Sequence, residues 1–300
     1  MTQAGEARER TFFGHPVGLS TLFFTEMWER FSYYGIRALL ILYMTAPKPA
    51  GLGLDVPSAG AIYGLFTGCA YIFALPGGWL GDRFLGQHKS VWIGGLLIAA
   101  GNFGMMIPSL GSFVLALLLI SLGTGLLKTN ATATVGALYQ QGDPKRDAGF
   151  SIYYFGVNLG AGVAPLICGY VGQQIDFRYA FGLAGLCMLL GVLQFQLTVA
   201  RNLGAIGRDP VSPATVQDRK ILGATLAALL AVVAGIAILQ VPISVVSDGF
   251  AVLLLITSVG AFGGLLMNKS FSAAERGRIV VVGVLFLASA LFWSIFEQAG

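Results

Sequence analysis

Apolar stretches of about twenty residues recur along the chain, at roughly 20–45, 58–80, 89–108, 112–139, 149–171, 180–199, 221–241, 249–267 and 279–300. A helix needs about 20 apolar residues to cross a bilayer, so the pattern predicts nine spanning helices and an all-α polytopic membrane protein. The first stretch breaks its own pattern. Glu26, Glu29, Arg30, Tyr33, Tyr34 and Arg37 recur at i, i+3, i+4, i+7, i+8 and i+11. At roughly 100° per residue these six fall within an arc of about 140°. A charge at the bilayer centre costs about 2.5–3.5 kcal/mol even on the lenient insertion scale. Such a stripe is kept only against a wet cavity or partner charges, so it predicts a site for a small charged solute and a coupling ion.

Charged residues make up 11% of the chain, where a soluble domain carries about 25%, and the mean hydropathy is +0.77. The 42 glycines suit close helix packing in a membrane. Thirteen of the 18 Lys and Arg residues fall in segments that lie on one side if the N-terminus is inside, and only Lys48 and Arg178 fall on the other. The remaining three, Arg30, Arg37 and Lys128, are intramembrane. The positive-inside rule then places the N-terminus in the cytoplasm. This sidedness accounts for the net charge of +4 without nucleic acid as a partner. Cys69, Cys168 and Cys187 lie inside apolar spans, with no CxxC or Cys/His cluster. Neither a disulfide framework nor a metal is indicated, and no cofactor is expected beyond a proton. His15 and His88 stand near loop ends, so a proton taken up in the membrane must ride on a carboxylate. The first apolar segment is too long and too charged for a cleavable signal.

Counted at 1.5 Å per residue from the inner ends of their spans, Arg30, Tyr71, Lys128 and Asn158 share a level at roughly 14–16 Å. Arg37 and Glu297 share a higher one near 26 Å. Midplane polar groups from several helices are what secondary transporters use for substrate and ion. Plainer roles stand beside this one. Lys128 could snorkel to the interface, Arg30 with Glu26 and Glu29 could form a structural ion-pair set, and Tyr33, Tyr34 and Tyr71 could be packing aromatics. The Asp82-Arg83 pair in Gly78-Trp-Leu-Gly-Asp-Arg-Phe-Leu-Gly86 is expected to latch two helices at an inner loop. Residues 201–220, with Gly204, Gly207, Pro210 and Pro213, read as a cytoplasmic linker. The last span stops in a polar stretch at Glu297-Gln298, which suggests a portion of a longer protein. No nucleophile–base pair or metal set stands in any span, so an enzyme is not expected.

The segment Glu26-Met-Trp-Glu29-Arg30-Phe31-Ser-Tyr33-Tyr34-Gly35 resembles the ExxERFxYYG signature of the proton-dependent oligopeptide transporters, within the major facilitator superfamily. Phe150–Gly160 (FSIYYFGVNLG) resembles the family's fifth-helix signature, Phe292-Trp293…Glu297-Gln298 its seventh-helix FWxxxEQ, and Gly78–Gly86 the superfamily's loop motif. The resemblance implies a major facilitator fold: an N-terminal six-helix bundle over 1–200, the linker at 201–220, two inserted helices over 221–268, and the seventh core helix over 279–300. The rest of the C-terminal bundle would be missing from the chain. It further implies symport of di- and tripeptides with protons across a bacterial cytoplasmic membrane. Glu26, Glu29, Arg30 and Glu297 would couple the proton. Arg37, Tyr33, Tyr34, Tyr71, Lys128, Asn158 and Trp293 would contact the peptide. Gly78, Asp82 and Arg83 would form the structural loop motif, and lipid would surround the whole. The alternatives are a family member carrying another small anionic or peptide-like solute, or a membrane receptor that binds peptide without moving it.

Overall fold

The computed structural model describes residues 11–268 and 270–296. A short antiparallel hairpin, β1 (Thr11–Phe12) and β2 (His15–Pro16), precedes the helices and was not anticipated from the apolar pattern. The helices are α1 (Gly18–Thr45), α2 (Val56–Ile72), α3 (Ala74–Leu80), α4 (Gln87–Gly104), α5 (Leu110–Ala137), α6 (Arg146–Gln174), α7 (Phe177–Asn202), α8 (Val216–Ile238), α9 (Ile243–Met267) and α10 (Ala273–Phe296). Among the described residues, seven helical segments are long and apolar enough to cross a membrane. Helices α1 and α4 fall outside that set for a reason visible in the sequence. Every 18-residue window of α1 holds at least three charges, and α4 opens on Gln87, His88 and Lys89. At 28 residues, α1 is still about 42 Å long, enough to cross the hydrocarbon layer.

Two compact units divide between Ile238 and Leu239. In the first, α1 is the hub. It lies on α6 and α7 and also touches α2, α4 and α5, while α5 packs on α2, α3 and α4. Small residues set the spacing of these helices. A Cβ on Gly160 of α6 would run into the Met27 carbonyl oxygen of α1, so the two backbones nearly touch there. A Cβ on Gly94 of α4 would stand 2.6 Å from the Gly123 carbonyl of α5. Polar side chains add cross-links. Asn130 donates to the Gly77 carbonyl at 3.0 Å, Asn102 to Ser32 Oγ at 3.0 Å, and Thr21 to Thr198 Oγ1 at 3.0 Å. In the second unit, α9 and α10 pack on each other, with Phe262 and Phe286 5.4 Å apart between ring centroids.

Helix ends lie outside the apolar windows where capping groups recruit polar residues. Thr215 Oγ1 accepts from Asp218 N at 3.2 Å, and Asp218 Oδ2 accepts from Thr215 N at 2.8 Å. This reciprocal box starts α8 at Val216. Ser272 and Glu275 form the same box ahead of α10, which begins at Ala273. The connection between α7 and α8 is therefore non-helical only over 203–215.

The segment expected as an inner loop is helical. Gly78 lies within α3, and Gly81–Leu85, with Asp82 and Arg83, forms one π-helical turn continuing it. The wider turn closes through Gly86 N donating to the Gly81 carbonyl at 2.9 Å. The chain reverses at Gly86, whose φ of +76° lies in the region glycine adopts without a steric penalty. The 203–215 connection then straps this turn. Ser212 N donates to the Asp82 carbonyl at 3.0 Å, Ala214 N to the Arg83 carbonyl at 2.8 Å, and His88 N to the Gly207 carbonyl at 2.9 Å. Arg83 Nη1 stands 3.9 Å from Asp218 Oδ2.

Candidate functional site

The polar stripe of α1 is buried at its centre: Glu26, Glu29 and Arg30 are each less than 5% exposed. Arg30 holds Glu29 with two parallel hydrogen bonds, Nη2 to Oε1 at 2.7 Å and Nε to Oε2, and its Nε lies 3.5 Å from Glu26 Oε1. Such forked guanidinium–carboxylate contacts are the strong, oriented kind. The remaining lone pairs are met from other helices. Thr124 of α5 donates to Glu29 Oε1 at 3.3 Å, and Tyr153 of α6 donates to Glu26 Oε2 at 2.8 Å. The Arg30 guanidinium also lies 5.0 Å from the Tyr33 ring centroid and 5.8 Å from that of Tyr34, within cation–π range.

Arg30, Tyr33 and Thr124 reach a cavity of about 720 Å³ in the first unit, lined also by Tyr71, Lys128, Thr132 and Tyr154, with Arg146 and Phe150 on its wall; Glu26 and Glu29 are not among its lining residues. The volume lies in the ordinary range for small-molecule sites, about 300–1,000 Å³. Lys128 lines this cavity. Its Nζ stands 5.5 Å from the Tyr71 ring centroid, within electrostatic reach of Glu26, Glu29 and Arg30.

Arg37 sits two turns further along α1 and donates from Nε to Tyr63 Oη at 2.7 Å. Tyr34 links the two levels, since its ring centroid is 5.7 Å from the Arg37 guanidinium as well. Arg37, Tyr34 and Asn158 lie outside the cavity lining. Asn158 is exposed on α6 and donates to the Tyr154 carbonyl at 2.9 Å. Trp293 is on α10 in the second unit, edge-on to Phe292 at 5.5 Å. Glu297 lies outside the described residues.

Tyr63, Thr124, Thr132, Tyr153 and Tyr154 belong to the site and were not singled out from the sequence. The first three carry a signal of the kind that marked α1. Tyr63, Thr67 and Tyr71 on α2, and Thr124, Lys128 and Thr132 on α5, recur at i, i+4 and i+8. Each triplet is a short polar stripe on an apolar helix. Tyr153 has no such partner positions, and only the crossing of α6 on α1 discloses it.

Residues 88–300 match the model of the POT family (PTR2). An uncharacterised transporter of Bacillus subtilis is 39% identical over 97% of this chain, and a di-/tripeptide transporter of Lactococcus lactis is 38% identical over 97%. Among solved structures, a peptide transporter POT in complex with sulfate superposes with a TM-score of 0.91 at 43% identity, covering 97% of this chain and 60% of that one. A POT family transporter in complex with 5-aminolevulinic acid superposes with a TM-score of 0.91 at 35% identity over 97% of this chain and 61% of that one. The chain is a multi-pass membrane protein of the POT family, with the helical fold of those transporters. It spans about 60% of the length of the curated relatives it matches.

Proposed function

We propose that the intact protein is a proton-coupled symporter of di- and tripeptides in a bacterial cytoplasmic membrane, with its N-terminus inside. Residues 1–200 would form the N-terminal bundle, 201–220 the cytoplasmic linker, 221–268 the inserted pair and 279–300 the start of the second bundle. One observation carries the reading: two buried carboxylates, Glu26 and Glu29, hold Arg30, and Arg30 and Lys128 line one cavity. With Glu26, Glu29, Arg30 and Lys128 all charged the set is neutral. Protonating Glu26 or Glu29 leaves a surplus cation beside the cavity, and a substrate carboxylate can neutralise it. Proton and anionic substrate thus favour each other's binding through a reciprocal coupling. Lys128 and Arg37 would receive the peptide carboxylate, with Tyr33, Tyr34, Tyr71, Asn158 and Trp293 around the peptide. Glu26, Glu29, Arg30 and Glu297 would carry the proton coupling, and Gly78, Asp82 and Arg83 would serve as a structural latch. The family is one of transporters, so no catalysis is assigned.

A second reading, a member carrying another small amino-acid-like solute, is supported by the relative bound to 5-aminolevulinic acid. The test is dialanine uptake by the full-length gene product in proteoliposomes, with and without an inward proton gradient. Gradient-driven accumulation, abolished by Glu26→Gln in protein whose melting temperature is unchanged, supports the proposal. Binding of dialanine without accumulation would make the protein a receptor, and uptake of 5-aminolevulinic acid alone would favour the second reading.

A further inference from the structure

Tyr153 is fully buried in α6, and its hydroxyl has two neighbours. One is Glu26 Oε2 at 2.8 Å, which it serves as donor. The other is Thr132 Oγ1 at 3.5 Å, on α5. Thr132 already spends its only proton on the Lys128 carbonyl, at 2.8 Å. Toward Tyr153, Thr132 can therefore act only as an acceptor.

This arrangement has two complete hydrogen-bond patterns. With Glu26 ionised, Tyr153 donates to the carboxylate. With Glu26 protonated, the carboxylic acid donates to the Tyr153 oxygen, and the tyrosine O–H turns to Thr132, which must close by a few tenths of an ångström. Neither state leaves a buried donor without an acceptor, and each orphan would cost about 1–3 kcal/mol. We infer that Tyr153 is a positioning residue for the proton-coupling step, a switchable donor that relays the protonation state of Glu26 to the Thr132–Lys128 turn of the cavity wall. This rests on the symport reading and adds a residue to it. The charged and titratable groups facing Glu26 are Glu29 and Arg30 on α1, Lys128 on α5 and Tyr153 on α6. Helix α7, on the other side of α1, offers Gln194 and Thr198 to Thr25 and Thr21, neither of which carries charge.

Two substitutions then act in opposite directions. Tyr153→Phe keeps the ring and removes the donor to the ionised carboxylate, so protonation becomes easier. Thr132→Val removes the acceptor that the protonated state needs, so protonation becomes harder. The experiment is pH-difference infrared spectroscopy of the purified full-length protein, reading the carboxylic-acid C=O band that disappears in Glu26→Gln. The pH dependence of dialanine uptake is measured alongside it. Tyr153→Phe is expected to move the half-titration of the band, and the uptake profile, about one unit to higher pH and to raise the band frequency. Thr132→Val is expected to move both to lower pH. Unchanged midpoints in both variants, or shifts of the same sign, overturn the inference. If the unmutated protein shows no proton-driven uptake, the symport reading fails by itself, and the infrared titration still decides the hydrogen-bond switch.

Discussion

Arg37 and Arg30 show how two cations of one helix come to have different tasks. Arg30 is held by two carboxylates and Arg37 donates to the hydroxyl of Tyr63, and each lies over two tyrosine rings. In the full-length protein, Arg37→Ala is expected to weaken dialanine binding at least about tenfold, the loss of one charge-assisted contact. Titration calorimetry paired with a melting curve separates lost binding from lost stability. Glu29→Gln should act on stability. It strips Arg30 of its main buried partner, which costs about 3–5 kcal/mol, and the melting temperature in detergent should fall steeply. At this scale the sequence was readable where it was periodic. The α1 stripe identified Glu26, Glu29, Arg30, Tyr33, Tyr34 and Arg37 because 3.6-residue geometry forces them onto one face. Tyr153 escaped because its meaning depends on which helix crosses which, and no local pattern encodes that.

Helix existence followed from apolar length, while helix boundaries followed from chemistry that an apolar window ignores. The boxes at Thr215/Asp218 and Ser272/Glu275 start α8 and α10 earlier than their hydrophobic runs do. The Gly78–Gly86 motif went further from expectation. Its charges suggested a loop, but a π-helical turn holds Asp82 and Arg83 until Gly86 reverses the chain. The α1–α6 crossing is the element contact on which the site depends, because it brings Tyr153 to Glu26. Gly160→Leu would force a side chain into the Met27 carbonyl. The expected outcome is a destabilisation of about 1–3 kcal/mol by overpacking together with weakened proton-driven uptake. Melting and transport measured on the same preparation check both.

For the molecule as a whole, the strap over 203–215 ties the π turn, the first turn of α4 and the start of α8 into one rim of the first unit. Gly207 sits at φ +77°, and a Cβ there would meet Gln87 Oε1 at 2.7 Å, so Gly207→Val should lift the strap. Trypsin cleavage at Arg208 should then accelerate at least several-fold in limited proteolysis, with cleavage at Arg178 as the internal control. The run of apolar helices was legible because lipid imposes apolar length on any sequence that crosses it. The strap was not, because its bonds run between backbone groups that every residue carries.

The Glu29–Arg30 pair also bears on how the chain is made. The two are consecutive residues, so their ion pair needs no second helix to form. A nascent α1 leaving the ribosome can enter the bilayer with that pair already neutralised, before any later helix has been synthesised. Removing Glu29 together with Glu26, the second carboxylate of the same helix, would leave a lone arginine to be inserted at a cost of about 2.5–3.5 kcal/mol, and the defect would show first as lost membrane integration of the newborn chain.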